Sequence, residues 1–495
     1  MALEHNCGVV LAYDLTGREG NVVGTTVDLL EHLRHRGHDM CGVAAAQNNT
    51  LTTHHGLGTP AEALGNARSF LQGSAAIGHT RYTTNKTKDI KGAHPRDYPN
   101  SDPAKHIAYA FNGQIMPTEE ALRLLDGLGH AVDLNDDTGI LGALLAHNVR
   151  TRESLREALG ETWSQVSGAH NGVALRRNGE AFAWSDPMKF HPLSWAKRGN
   201  MFVVLSETNP LDEVWDGREE RGEIKPGEMV RIMPGEDPEF IQVQKPEERA
   251  FCPFEPYYFM KGGSQIGETS ANRIRIRSGA TLARIDDAEG FLKHYPDLLV
   301  VPVPETGKYF AEGYANRSKR ARADAITRQE NFDKRTFILS GDGLRQKFKF
   351  DPQMIRGRDI VLMDDSIVKG NTMPFILQIL REECAPKSIH VRSGFPIVRS
   401  PCFYGINMPT IQDLWWSKYM VMLHEGKNLD DVHAAMLKEF GVDSLKFMPA
   451  DQLSHTIRGF EKDMLCRGCT EGIYPTTEGQ KLYDAQLHQI LTYKP

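Results

Sequence analysis

The stretch Asp359–Met373 reads DIVLMDDSIVKGNTM, and its order decides the fold of the second half of the chain. The apolar run Ile360–Met363 delivers two adjacent acids, Asp364 and Asp365. Ser366, Lys369, Gly370, Asn371 and Thr372 follow, and then a helix-forming segment, MPFILQILREE (373–383). A continuous apolar run ending in a polar loop is how a parallel strand covered on both faces reads. In such sheets ligands sit beyond the carboxyl ends of the strands. Gly370 lets the backbone approach an anion closely, and the amides and hydroxyls around it can cradle a phosphate at the helix N-terminus. Carboxylates beside that cradle accept hydrogen bonds from vicinal hydroxyls and can hold magnesium directly or through water. An Asp-Asp-Ser turn that only caps a helix is the plain alternative for the acids alone. The full order of strand, paired acids, cradle and helix argues against it.

Outward from that loop, DLLVVPVPETG (297–307) has the same character, so PETG is a second place where chemistry is expected. The first half, to about residue 245, differs. Short β-like runs such as CGVVLAYD, GVAAAQ, HIAYAFNG and NGVALRRNGEAFAWS alternate with helical segments such as TTVDLLEHLRHRG (25–37) and DDTGILGALLAH (136–147). In the first of these helices Val27, Leu30 and Leu33 share a face, and Gly37 stands where a helix would stop. Many hairpin signals with helices interspersed predict a layered α+β domain. The boundary falls near residues 234–250, where PGEDPEFIQVQKPEERAF is polar and contains proline.

At 495 residues the chain has length for two to four domains. It is 40% hydrophobic and 25% charged with net charge −6, a balance that suggests neither a nucleic acid nor a membrane surface as partner. No apolar run approaches the roughly 18 residues of a membrane span. Met1–Asn6 contains an acid and no hydrophobic core, so it is no secretory signal, and a cytoplasmic setting follows by default. The seven cysteines are an odd set that speaks against a disulfide framework. Only Cys466 and Cys469, in CRGCTEGIYP, have metal-ligand spacing, and they would need two further soft ligands.

Cys7 follows the polar leader Met1–Asn6 and heads a strand-like run. By itself it reads as a small core hydrophobe. If the leader is removed, Cys7 instead carries a thiol and a free amine on one residue.

The loop 364–372 resembles the phosphoribosyl pyrophosphate loop of type I phosphoribosyltransferases, and in wording that of the glutamine phosphoribosylpyrophosphate amidotransferase family. That family has Arg-Gly-Thr-Thr where this chain has Lys369-Gly370-Asn371-Thr372. VPVPETGKYFAEGYA resembles its pyrophosphate-side loop, with Glu305, Thr306 and Gly307. RTFILSGDGLRQKFKFDP resembles its flexible loop, with Arg335, Arg345 and Lys347. CFYGINMPT and FEPYYFM also match, whereas residues 261–273, ahead of Arg275 and Gly279, depart from the usual wording. In the first half CGVV, HRGHDMCGVAAA, IGHTRYTTNK, FNGQI and DDTG follow the order of an N-terminal-nucleophile glutaminase, with Phe111 where the family has histidine.

The resemblance implies an α+β N-terminal-nucleophile hydrolase domain of four layers (αββα) over 7–245. It implies an α/β type I phosphoribosyltransferase domain with a mainly parallel sheet over 246–470, after a propeptide at 1–6 and before a C-terminal extension at 471–495. The substrates implied are glutamine and phosphoribosyl pyrophosphate, with 5-phosphoribosylamine as product. Cys7 is then the nucleophile, Asn112 and Gly113 the oxyanion hole, Arg81 the partner of the glutamine carboxylate and Asp137 of its amine. Thr306, Asp364 and Asp365 are implied as magnesium ligands. Cys252, Cys402, Cys466 and Cys469 match the cysteines of a [4Fe–4S] cluster in one subset of the family, although four thiolates also suit zinc. Purine nucleotide inhibitors and a homotetramer are implied as well. Amidotransferases with other acceptors, such as the sugar-isomerase and asparagine synthetase relatives, lack a DDSIVKGNT loop. A non-catalytic regulator binding phosphoribosyl pyrophosphate on the same fold is the reading from another class. Cys7, Arg81, Asn112, Gly113 and Asp137 together argue against it.

Overall fold

A computed structural model describes residues 7–492 except 19, 83–89, 131–132, 135, 247, 330–344 and 346. The expected propeptide, Met1–Asn6, and Arg335 lie outside the described residues.

The first half stacks two antiparallel sheets. The seven-stranded sheet runs Glu220–Glu223, Ser194–Arg198, Met201–Leu205, Gly8–Asp14, Ala75–Arg81, Met40–Gln47, Thr50–Leu57. The six-stranded sheet runs Glu239–Gln242, Glu228–Ile232, Ala181–Trp184, Val166–Arg176, Ile107–Pro117, Arg96–Tyr98. Alternation along each strand divides the side chains between layers. Val9, Leu11 and Tyr13 meet Ala108, Ala110, Val173 and Leu175 between the sheets. Val10 and Ala12 face the other way, against Val27, Leu30 and Leu33. Beyond the second sheet, Ile107 and Tyr109 pack on helices Asp137–Thr151 and Leu155–Ser164. The layers are therefore helix, sheet, sheet, helix.

One helix ends earlier than its sequence suggests. It spans Val22–His32 and stops short of Gly37. The Leu33 amide bonds both Leu29 and Leu30 carbonyls, at 3.1 and 2.9 Å, which tightens the last turn. The chain then turns Arg36 into the interior, where acids from distant segments hold it. A buried ion network thus overrides the local periodicity.

The second half is built on a four-stranded, wholly parallel sheet in the order Leu299–Pro302, Asp359–Asp364, Ser388–Ser393, Ser444–Phe447. Both faces are covered, which explains the unbroken apolar runs. Val300, Val361 and Met363 point into one core with helices Ala271–Ala288 and Gly307–Ser318. Leu299, Val301, Ile360 and Leu362 point into the other, with helices Thr372–Ile379 and Leu429–Phe440. The two loops singled out in the sequence leave neighbouring strands at their carboxyl ends. Among the described residues no helix is long and apolar enough to cross a membrane.

Candidate active sites

Antiparallel register sets Gly8 opposite Thr80, so Cys7 and Arg81 leave the seven-stranded sheet at one edge. Asp137 opens the helix Asp137–Thr151. Burial pushes the Cys7 thiol up to about 11, while the Arg81 cation pulls the other way and the Asp137 carboxylate adds to the rise. Burial likewise raises the Asp137 carboxyl, again opposed by Arg81. Thiol, cation and acid therefore occupy one site. Asn112 is 2% exposed, and its Nδ2 has no hydrogen-bond partner among the described residues. A buried amide donor left open in this way costs stability unless a ligand oxygen meets it. Gly113 has φ +142°, and a Cβ there would lie 2.0 Å from the Ala169 carbonyl oxygen, so the position admits only glycine.

Sequence reasoning missed what anchors the nucleophile. Arg36 is fully buried, donates from Nε to the Cys7 carbonyl at 3.1 Å, and pairs with Glu207 and Glu255. Glu255 also meets His191 Nδ1 at 2.8 Å, and His191 Nε2 donates to the Tyr404 carbonyl at 2.8 Å. Glu207 accepts from the Lys261 amide at 2.9 Å and from Ser264 Oγ at 2.8 Å. HRGHDM contained the arginine, but no local pattern announces partners so distant in sequence.

The second site forms where the parallel strands end. The Asp364 and Asp365 carboxyls are both raised, Asp365 to about 6, by burial and, for Asp364, by the charge of its neighbour. Asp364 Oδ1 accepts from the Asp365 amide at 3.0 Å, and Ser366 Oγ donates to Asp365 Oδ1 at 3.0 Å. Thr306 and the buried Arg275 lie beside Asp365 and oppose its rise. Arg275, to which the sequence reading gave no role, spends its donors on the Pro256 and Met260 carbonyls, at 2.9 and 2.6 Å. Gly307 begins a helix after Thr306, and Glu305 pairs with Lys308 at 2.7 Å. Gly370 has φ +73°, and a Cβ there would lie 2.3 Å from Trp415 Cδ1. Lys369, Gly370 and Asn371 line an open cavity of about 440 Å³ with Trp415 and Lys418, and Thr372 starts the helix behind it. Of the flexible-loop cations, Arg345 is not brought to the acids. It pairs with Glu383 at 2.5 Å on the surface. Lys347 is buried, its Nζ 5.7 Å from the Phe348 ring centre.

Cys252, Cys402, Cys466 and Cys469 line one cavity of about 20 Å³, with Phe254, Met408 and Tyr474 around them. Burial raises all four thiols, and for Cys252, Cys466 and Cys469 the neighbouring sulfurs add to it. Backbone bonds from the Phe251 amide to Met464 and from the Cys466 amide to Phe251, each 2.9 Å, tie the first cysteine's segment to the last pair. Among the described residues no three His, Cys, Asp or Glu converge on a point that could hold a single ion.

No family model matches the chain. It is 29% identical over 476 residues to the amidophosphoribosyltransferase of Methanothermobacter thermautotrophicus, covering 95% of this chain and 94% of that one. It is 30% identical over 456 residues to the amidophosphoribosyltransferase of Mycobacterium bovis, covering 90% and 82%. The solved structure of glutamine phosphoribosylpyrophosphate amidotransferase from B. subtilis, complexed with ADP and GMP, superposes with TM-score 0.80 at 26% identity, covering 95% and 97%.

Proposed function

We propose the steps below from one premise: the chain belongs to the amidophosphoribosyltransferase family. It is a glutamine amidotransferase and pentosyltransferase. It hydrolyses glutamine and joins the ammonia to phosphoribosyl pyrophosphate, giving 5-phosphoribosylamine, glutamate and pyrophosphate at the first committed step of de novo purine biosynthesis. The observation that supports the residue assignment is the buried Cys7 thiol within electrostatic reach of Arg81 and Asp137, together with the buried and open Asn112 amide.

There Arg81 pairs with the glutamine α-carboxylate and Asp137 with its α-ammonium. Cys7 Sγ attacks the amide carbon. A thiol held near 11 is a poor nucleophile at neutral pH. The α-amine freed when Met1–Asn6 is removed, with an ordinary pKa of about 7.7–8.0, takes its proton. Asn112 Nδ2 and the Gly113 amide receive the developing oxyanion. Ammonia leaves with the proton and passes internally to the second site, and water resolves the thioester.

At the second site Asp364 and Asp365 hold the ribose hydroxyls through the oxocarbenium-like transition state. Ser366, Lys369, Gly370, Asn371 and Thr372 cradle the 5-phosphate, and Glu305, Thr306 and Gly307 face the pyrophosphate. Arg335, Arg345 and Lys347 close over it, for which Arg345 must exchange Glu383 for the substrate. The adjacent carboxyls and Thr306 are a hard-oxygen set suited to magnesium, which when bound offsets charge on the leaving pyrophosphate. The four cysteines suit a [4Fe–4S] cluster, because all four thiols line one buried cavity. Its role is structural, since no step is a redox step. Purine nucleotides inhibit the enzyme, which works in the cytoplasm as a homotetramer.

The test measures glutamine hydrolysis with and without phosphoribosyl pyrophosphate, beside synthesis from added ammonia, on wild type and Cys7→Ala. Cys7→Ala should lose every glutamine-dependent rate and keep the ammonia-dependent one. Glutamine hydrolysis surviving in Cys7→Ala would falsify the assignment.

A further inference from the structure

His94 lies beside the glutamine site and is 2% exposed. Its ring stacks on His79 with centroids 4.2 Å apart and on Phe111 at 5.8 Å, so its plane is fixed from two sides. Arg81 Nη1 approaches His94 Nε2 at 3.0 Å and also donates to the Gly92 carbonyl at 2.8 Å. A guanidinium can only donate. Nε2 therefore carries the lone pair, and the ring proton sits on Nδ1, which has no partner among the described residues. Thr138 Oγ1 lies 2.9 Å from the same Nε2 and 3.3 Å from Asp137 Oδ1, so its single proton goes to the imidazole or to the acid and links the two as alternative acceptors. Burial, with the Arg81 and Arg96 cations near it, holds the His94 imidazole well below its usual range and hence neutral.

From this geometry we propose that His94 is a positioning residue for glutamine: its Nε2 lone pair aims the Arg81 guanidinium and, through Thr138, the Asp137 carboxylate at the two ends of the α-amino acid. The inference rests on the glutamine-site reading above and deepens it. His94 bonds Arg81 and Thr138, the partners of the α-amino-acid end, so its loss acts on glutamine binding more than on turnover. The ammonia-using half of the enzyme does not depend on it.

The experiment compares glutamine KM and kcat, and ammonia-dependent synthesis, for wild type, His94→Phe, His94→Gln and Arg81→Ala holoenzyme. His94→Phe keeps a flat ring but removes the acceptor. It should raise glutamine KM about tenfold, the worth of one charge-assisted hydrogen bond, with kcat changed less than about twofold. His94→Gln, whose amide oxygen can accept from Arg81, should recover most of the loss. An unchanged KM in His94→Phe while Arg81→Ala raises it overturns this inference alone. An unchanged KM in Arg81→Ala overturns the glutamine-site reading with it. An equal fall of ammonia-dependent synthesis in His94→Phe also overturns it, because the residue then serves the fold at large.

Discussion

Arg36 donates to the Cys7 carbonyl at 3.1 Å and, with the same guanidinium, closes on Glu255, 219 residues further along the chain. The backbone of the nucleophile and the segment carrying Cys252 therefore hang on one buried cation. Through Glu255 and His191 the same network reaches the Tyr404 carbonyl, two residues beyond Cys402. Cys7 is positioned by contacts that exist only once both halves have docked.

Arg36→Met should be strongly destabilising. It leaves Glu207 and Glu255 buried with a cation missing, a type of loss that costs about 3–5 kcal/mol. A lowered urea midpoint reads this directly. The combination with Glu207→Gln and Glu255→Gln removes the stranded charges and should recover much of the midpoint. A midpoint no better in the combination than in Arg36→Met alone would show that the charges are not the cause.

The same network sets an acid limit. Burial pushes the Glu255 carboxyl up, but Arg36 and His191 win and hold it down at about 2, against an ordinary 4.5. Glu207 is held lower still by His35 and Arg36. On acidification the unfolded chain takes up protons first. The stability these acids contribute is fully present above about pH 4.5 and drains away as pH falls from 4.5 towards 2. Unfolding free energies measured across that window should fall for wild type and less steeply for Glu255→Gln.

Legibility in the sequence followed locality. The strand, paired acids, cradle and helix of 359–383 are contiguous, so the chain order alone displayed them. The unbroken apolar run of Asp359–Asp364 likewise displayed a parallel strand buried on both faces. Arg36, His94 and Arg275 were invisible as site residues, because what gives each its role is a partner brought up by the fold. The early end of the helix at His32 has the same origin. The Glu383 partner of Arg345 was hidden for the same reason, lying 38 residues along the chain.

Asn112→Ala removes the open buried donor. The residue should matter only when negative charge develops on the amide oxygen, so glutamine kcat should fall about 10²–10³-fold with little change in glutamine KM. Asn112→Ala should also unfold no more easily than wild type, since its Nδ2 bonds nothing among the described residues. A rise in KM with kcat preserved would place Asn112 in ground-state binding instead.

Asp365→Asn should stabilise the metal-free protein above about pH 6 and abolish synthesis. Burial raises the Asp365 carboxyl to about 6 from 3.8, so the folded state binds this proton more tightly than the unfolded chain. Stability is therefore lost as pH rises through that window, and a neutral amide escapes the loss. Magnesium with phosphoribosyl pyrophosphate should raise wild-type Tm more at pH 7.5 than at pH 5, where the pair retains protons. Equal shifts at both values would separate the acids from the cation.

Protein purified without oxygen should be brown and carry about four irons per chain, the content of one cubane held by four cysteines. Cys252, Cys402, Cys466 and Cys469 line one cavity, and their segments are already joined by backbone bonds between residues 251, 464 and 466 and from residues 399 and 400 to Cys469. A cluster there would fill a frame the fold has built, and Cys466→Ser should lose colour and iron together. Because Phe251 and Cys252 stand close to Glu255 in sequence, the loss should loosen the acid that holds Arg36. Glutamine turnover should then fall further than ammonia-dependent synthesis. Colourless wild-type protein with one zinc per chain would overturn the cluster and leave the cysteines a plain tetrahedral site.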